Sequence, residues 1–178
     1  MELVHLLSEK EIGVLRSLLG KCCHTLYTRS LEVSGDFAIA QDYSLSLSED
    51  GYCVIESDWA DTPQDWIDYH MIEVSNRDWP KRIARSRSKD GRAALGFPSS
   101  IRLRPTVSPF VKILILDRRE QGESDSVHYD HALVFVQESG YRFALSAHES
   151  IAGGLEFTDS IQEIDTLLSE TSERICLE

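Results

Sequence analysis

The densest run of chemistry-bearing side chains is His128-Tyr129-Asp130-His131, with two imidazoles, a phenol and a carboxylate in four residues. Histidine titrates near neutrality and ligates metals, so such a run suits acid–base chemistry or a metal centre. On a strand, however, His128 and Asp130 face one way and His131 the other. Convergence then needs a bulge, or partners from elsewhere such as His70 or His148-Glu149. The bland alternative is a set of ordinary hydrogen-bonded strand residues. Asp58-x-x-Asp61 and Asp65-x-x-Asp68 offer carboxylate pairs for hydrolysis, but such spacings arise readily in any acidic stretch. Cys22-Cys23-His24 would join a thiol to a base, yet it falls on an apolar stripe where burial is the ordinary fate of cysteine. No G-x-S-x-G, Walker or dinucleotide pattern occurs, and Gly153-Gly154 is too short to cradle a phosphate. No catalytic residue, metal or cofactor is assigned on this basis. A hydrolase built on a His/Asp cluster stands as an alternative to a binding protein.

The charge layout says more. Formal net charge is −12, but its sign is segregated. Residues 30 to 76 carry eleven Asp and Glu and no Lys or Arg, whereas residues 77 to 104 hold nine of the 18 basic residues against two acids. Segregation on this scale creates a directed field that steers oppositely charged partners. In the acidic half Glu56, Asp58, Asp61, Asp65 and Asp68 surround Trp59 and Trp66. Carboxylates orient a basic partner and large aromatics anchor it, so these seven residues form the candidate partner-binding face. The competing reading is a solvated acidic surface over two core tryptophans. In the basic stretch Arg82, Arg85, Arg87 and Arg92 are the candidate contacts to a phosphate ligand or nucleic acid. The acidity of the remaining chain opposes nucleic acid, and these cations would alternatively pair with the protein's own acidic face.

The elements that must position these residues follow from periodicity. Ser8 and Glu11 form a capping-box pattern, and Ile12, Leu15, Leu18, Leu19, Cys22 and Leu26 recur at helical steps. They predict a helix in which Gly20 is a weak point and not an end. Tyr43, Leu45 and Leu47 alternate with serines, and Glu49-Asp50-Gly51 supplies a turn before Tyr52-Cys53-Val54-Ile55, which reads as a hairpin. A strand is expected over 66–74, with Thr62-Pro63 alternatively opening a short helix. Residues 75–109 lose apolar periodicity and hold several Gly and Pro, so a long basic loop is expected. Phe110 to Leu116, Val127 to Val136 and Tyr141 to Ala147 predict three antiparallel strands, and Leu155-Glu156-Phe157 a short one. A helix follows, capped by Ser160 and Glu163 and apolar at Ile161, Ile164, Leu167 and Leu168. The expected fold is one α+β domain over 1–178, with an N-terminal and a C-terminal helix packed on one face of a largely antiparallel sheet.

A chain of this length buries roughly 70% of its unfolded surface, enough for a core without disulfides or metals. The N-terminus lacks the basic flank of a secretory signal, no apolar run approaches membrane-spanning length, and the four cysteines have neither disulfide-scaffold nor zinc spacing. They read as buried thiols in a cytoplasmic protein.

With its capped N-terminal helix, the Glu56-Ser57-Asp58-Trp59 strand end, and the Gly140 hairpin leading through Gly153-Gly154 to a capped helix, the chain resembles the immunity proteins of bacterial polymorphic toxin systems. The resemblance is one of general style, and the basic stretch departs from it. It implies binding to a cognate protein toxin or other basic protein, whose cleft meets carboxylates in place of phosphates, with Trp59 or Trp66 filling a pocket.

Overall fold

The structure, a computed structural model, describes residues 1–47, 51–104, 108–150 and 153–178. It is mainly β, 58% strand and 11% helical, which corrects the expected α+β fold. In chain order the elements begin with β1 (Glu2–His5), α1 (Glu9–Arg16), β2 (Cys23–Thr28), β3 (Glu32–Ser34), β4 (Phe37–Ala40) and β5 (Asp42–Leu47). They continue with β6 (Gly51–Asp61), β7 (Asp68–Arg77), β8 (Ala84–Arg87), β9 (Ala93–Gly96) and β10 (Ser99–Arg102). The last part holds β11 (Phe110–Gln121), β12 (Ser126–Gln137), β13 (Arg142–Ala147), β14 (Leu155–Thr158), α2 (Ile161–Glu170) and β15 (Ser172–Leu177).

The larger sheet has eight strands in the order β15-β11-β12-β13-β14-β4-β3, with β1 paired in parallel to the start of β12. The smaller has five, β10-β2-β5-β6-β7, and β8 and β9 form a separate ribbon. Alternation puts one face of each sheet in a shared core. Tyr43, Leu45 and Ile55 of the smaller sheet join Ile113, Ile115, Leu133, Phe135, Phe143 and Leu145 of the larger, all fully buried. Phe135 and Phe143 stack with centroids 4.8 Å apart. Each such side chain contributes roughly 1.5–3 kcal/mol of burial.

The two helices do not share a face. α1 inserts Ile12 and Leu15 into the core between the sheets and lies against β7, whereas Ile164 of α2 covers Leu116, Ala132, Val134 and Ala144 on the outer side of the larger sheet. The capping box at Ser8 and Glu11 forms as expected, with Glu11 receiving the Ser8 N–H at 2.8 Å. The one expected at Ser160 does not, since the Ser160 side chain makes no capping bond.

α1 ends at Arg16, well short of the predicted Leu26. Gly20 takes φ +78° and donates its N–H to Phe110 O, and the chain then turns into β2. Cys23 and Leu26 face Leu47 and Leu45 across a bulge, so a strand acquires the three-residue apolar step of a helix. Nor is 75–109 a loop over its described residues. β7 extends into it, β8 and β9 pair through Arg85↔Leu95 and Ser86↔Ala94, and β10 lies along β2. The ribbon strands are open to solvent, so their ladder leaves no apolar alternation in the sequence. The β5–β6 hairpin forms, but Glu49 and Asp50 of its predicted turn lie outside the described residues. No helix opens at Pro63, and the expected strand begins at Asp68, leaving Trp66 in the turn.

The cysteines are free, and only Cys23 and Cys53 are buried. Cys22 is half-buried and Cys176 exposed, which corrects the reading of four buried thiols. Burial pushes the Cys23 and Cys53 thiols up to about 12, out of the nucleophilic range. No helix among the described residues is long and apolar enough to cross a membrane.

Candidate functional site

The connection between β6 and β7 is built to hold one side chain outward. Thr62, fully buried, closes it: Thr62 N–H donates to Ile67 O at 3.1 Å, Thr62 Oγ1 receives the Ile67 N–H at 3.1 Å, and Thr62 O receives the Trp66 N–H at 3.2 Å. A reciprocal clamp fixes this turn to the one between β11 and β12. The Asp65 carboxylate receives the N–H groups of Ser124 and Asp125, both at 2.7 Å, and the Asp125 carboxylate receives that of Gln64 at 2.7 Å. A side chain at Gly122 would push aside the Asp65 carboxylate and the tip of Ile67, so glycine there leaves the room in which Asp65 makes its half of the clamp. At the tip Trp66 is 71% exposed and sits at φ +53°, a left-handed conformation that is strained for a bulky residue. Asp65, Asp125 and Thr62 thus hold an apolar side chain in water on a strained backbone.

Beside this tip is a cleft of about 350 Å³, walled by Trp59, Asp68 and His70 of the β6–β7 hairpin, Glu120 of β11, Tyr129 of β12, and Glu149 and Ser150 after β13. His70 Nε2 lies 3.0 Å from Ser150 O, and Tyr129 donates its hydroxyl to Glu120 at 2.6 Å. Burial and the Glu120 carboxylate push the Tyr129 phenol up, so it stays a neutral donor. The hydrogen bond from Arg118 pulls Glu149 below the usual carboxylate range, so it stays charged. Glu149 is already balanced by Arg118, so Asp68 and Glu120 are the carboxylates that this concave site offers a cationic side chain, with Trp59 and Tyr129 as its aromatic walls.

The seven predicted partner-binding residues therefore separate. Trp59 and Asp68 wall the cleft, and Asp61 is paired opposite Asp68 in the ladder. Trp66 protrudes beside them, while Asp65 is consumed in holding the turn. Glu56 and Asp58 lie further along β6 near Glu73, whose carboxyl is pushed up by burial and by Glu56, Asp58 and Glu11. Glu56 is already paired with Lys81. Of the cleft residues, Tyr129 belongs to the His128–His131 run and Glu149 adjoins His148, both singled out for acid–base or metal chemistry and not for this cleft, while Glu120 carried no sequence signal; the meeting of the two sheets brings the three to residues some 50 to 90 positions away.

The basic stretch is partly spent on the protein itself. Arg82 bonds Gln41 and stands 3.4 Å from the buried Asp42, Arg92 lies 3.4 Å from Asp90, and Arg85 covers the Trp79 ring at 4.8 Å. Arg87 is exposed on the ribbon.

The histidines do not assemble. His128 pairs with Asp117, Asp130 with Arg174, and His148 Nδ1 with Glu156 at 2.6 Å. The bulge that convergence required does exist, because Leu116 faces Ala132 while Asp117 faces Asp130, leaving His131 as the extra residue. It sends His131 toward His70 and away from His128. Among the described residues no cluster of three or more His, Cys, Asp or Glu could hold a metal, and no Ser, Thr or Cys side chain is hydrogen-bonded to a histidine ring.

Burial, helped by the Arg118 charge, pushes His131 down to about 3. The unfolded chain takes up this proton near pH 6.5 and the folded protein only near 3, so between these values unfolding binds a proton. The contribution of His131 to stability is complete above pH 6.5 and falls by up to about 1.4 kcal/mol per unit as pH drops toward 3. Urea unfolding of wild type and His131→Leu between pH 6.5 and 5 should show a shallower pH slope for the variant; equal slopes would place the proton uptake elsewhere. Compared with known proteins, the chain matches no family model, no curated protein and no solved structure.

Proposed function

We propose that this is a protein-binding module of the immunity type, which neutralises a toxin or other basic protein by docking it on the end of the β6–β7 hairpin. Trp66 is the anchor, and the cleft of Trp59, Asp68, Glu120, Tyr129 and Glu149 receives a lysine or arginine from the partner. The observation that carries this reading is Trp66 itself. A tryptophan that is 71% exposed on a strained backbone gains nothing from the fold that holds it, and such outliers concentrate where a ligand is bound. The acidic surroundings supply steering toward a basic partner. The reading departs from the expectation of one continuous face over residues 56 to 68, since Asp65 is structural and Glu56 is paired.

The test is kinetic. A partner captured from the native host is purified, and its association is followed with wild type and with Asp61→Lys/Asp68→Lys. Charge reversal should slow association about tenfold at low salt and flatten its dependence on ionic strength, with little change in dissociation. Unchanged association kinetics would remove the hairpin end as the docking surface.

A further inference from the structure

The outer face of the smaller sheet is open at one end, and there it is aromatic and basic. Leu26, Leu45, Cys53 and Val74 turn into the core, so alternation points their chain neighbours outward. Ladder pairing then sets Ser46, Tyr52 and Arg77 in one outward row across β5, β6 and β7, and Ser100, Tyr27 and Ser44 in the next across β10, β2 and β5. Arg102, opposite Thr25, shares this side of the sheet. Tyr27 and Tyr52 pack edge to face, with ring centroids 6.3 Å apart and planes at 69°, and both stay partly exposed.

The segment after β7 tips the local charge. It crosses the sheet with the Lys81 N–H donated to Ser44 Oγ at 3.1 Å, above Ser44 and Val54, which are fully buried. On the way Lys81 pairs with Glu56 and Arg82 stands 3.4 Å from Asp42, which balances two acids opposed in the adjoining row. Arg77, Arg87 and Arg102 are exposed and make no ion pair among the described residues. Between the β8–β9 ribbon and β10 stands Phe97, 100% exposed and at φ +49°, a left-handed conformation strained for an aromatic residue. The fold gains nothing from holding it so.

We propose that this face binds single-stranded nucleic acid, with bases stacked on Tyr27, Tyr52 and Phe97 and phosphates held by Arg77, Arg87 and Arg102. Unpaired cations select an anionic polymer, and the exposed rings among them select one with unstacked bases over an acidic protein, which has none to offer. A duplex hides its base faces and is disfavoured. The site is independent of the protein-docking reading, because Tyr52 and Arg77 lie at one end of the β6–β7 ladder and Asp61 and Asp68 at the other.

The probe is a fluorescein-labelled oligothymidylate of about 12 nucleotides, within the span of such platforms. By anisotropy at low salt it should bind saturably, and log affinity should fall with log salt at a slope near about −2, the value for three phosphates. Arg77→Gln/Arg102→Gln, at exposed positions, should weaken binding at least about tenfold at low salt and flatten that slope by about 1. Tyr27→Leu/Tyr52→Leu, checked for native far-UV circular dichroism, should weaken it about as much with the slope unchanged. Phe97→Ser, which removes no packing, should cost about fivefold or more. Displacement of the probe by polyglutamate as readily as by unlabelled oligonucleotide, or wild-type affinity in the tyrosine and Phe97 variants, would make the face a basic patch for acidic proteins and overturn the proposal. So would the lack of saturable binding at low salt.

Discussion

Replacing Asp130 with alanine is expected to remove about 3–5 kcal/mol of stability, the range for breaking a buried ion pair from one side. The Asp130 side chain is fully buried. It receives Arg174 Nε at 2.7 Å, Arg174 Nη2 at 2.6 Å and the Leu7 N–H at 2.6 Å. One carboxylate therefore joins β12, the C-terminal strand β15 and the segment entering α1. Removing it strands a guanidinium that is mostly buried, and it frees a backbone donor in the core. For a chain of this size the loss corresponds to a fall in melting temperature on the order of 10 °C. Asp130→Leu/Arg174→Met, which removes both charges, should recover much of the loss. A fall below about 1 kcal/mol in Asp130→Ala would show that the pair is not what holds β15 and the N-terminal segment to the sheet.

Trp66→Ala is expected to weaken partner binding by about 2–4 kcal/mol, or roughly 30- to 1,000-fold, as central aromatic anchors do. The loss should appear chiefly as faster dissociation, because the packing it removes exists only in the complex. Folding should be almost untouched, since little of the indole is buried in the free protein. The contrast with Asp61→Lys/Asp68→Lys is diagnostic. Charges at the rim act on the encounter, whereas the indole acts on the duration of the bound state.

The sheet strands were legible wherever one face is dry and the other wet, as in Tyr43-Leu45-Leu47 and in β11 to β13. Legibility failed where that contrast vanishes. β8 and β9 are open to solvent and read as loop, and β15 follows α2 directly with no turn signal strong enough to announce it. Between Cys23 and Leu26 a bulge turned strand spacing into helical spacing, and the first helix was extended ten residues too far. At the candidate site, the composition around Trp59 and Trp66 marked the correct hairpin. It did not distinguish an aspartate that faces solvent from one that caps a neighbouring turn, because what engages Asp65 is the β11–β12 turn, which lies some 60 residues away in the chain. Glu120 and Tyr129 lie in the other sheet and Glu149 in the connection after β13, and no local pattern connects them to the hairpin.

The most direct measurement is the joint effect of Trp66→Gly on stability and on affinity for the captured partner. At φ +53° a glycine is relieved of the 1–2 kcal/mol or so that a side chain costs there, against roughly 0.5–1 kcal/mol of added freedom in the unfolded chain. Urea unfolding should therefore give a stability equal to wild type or higher by up to about 1 kcal/mol, while partner affinity falls at least about thirtyfold. A variant that is clearly less stable yet binds as tightly as wild type would make Trp66 a structural residue and contradict the docking role of the hairpin.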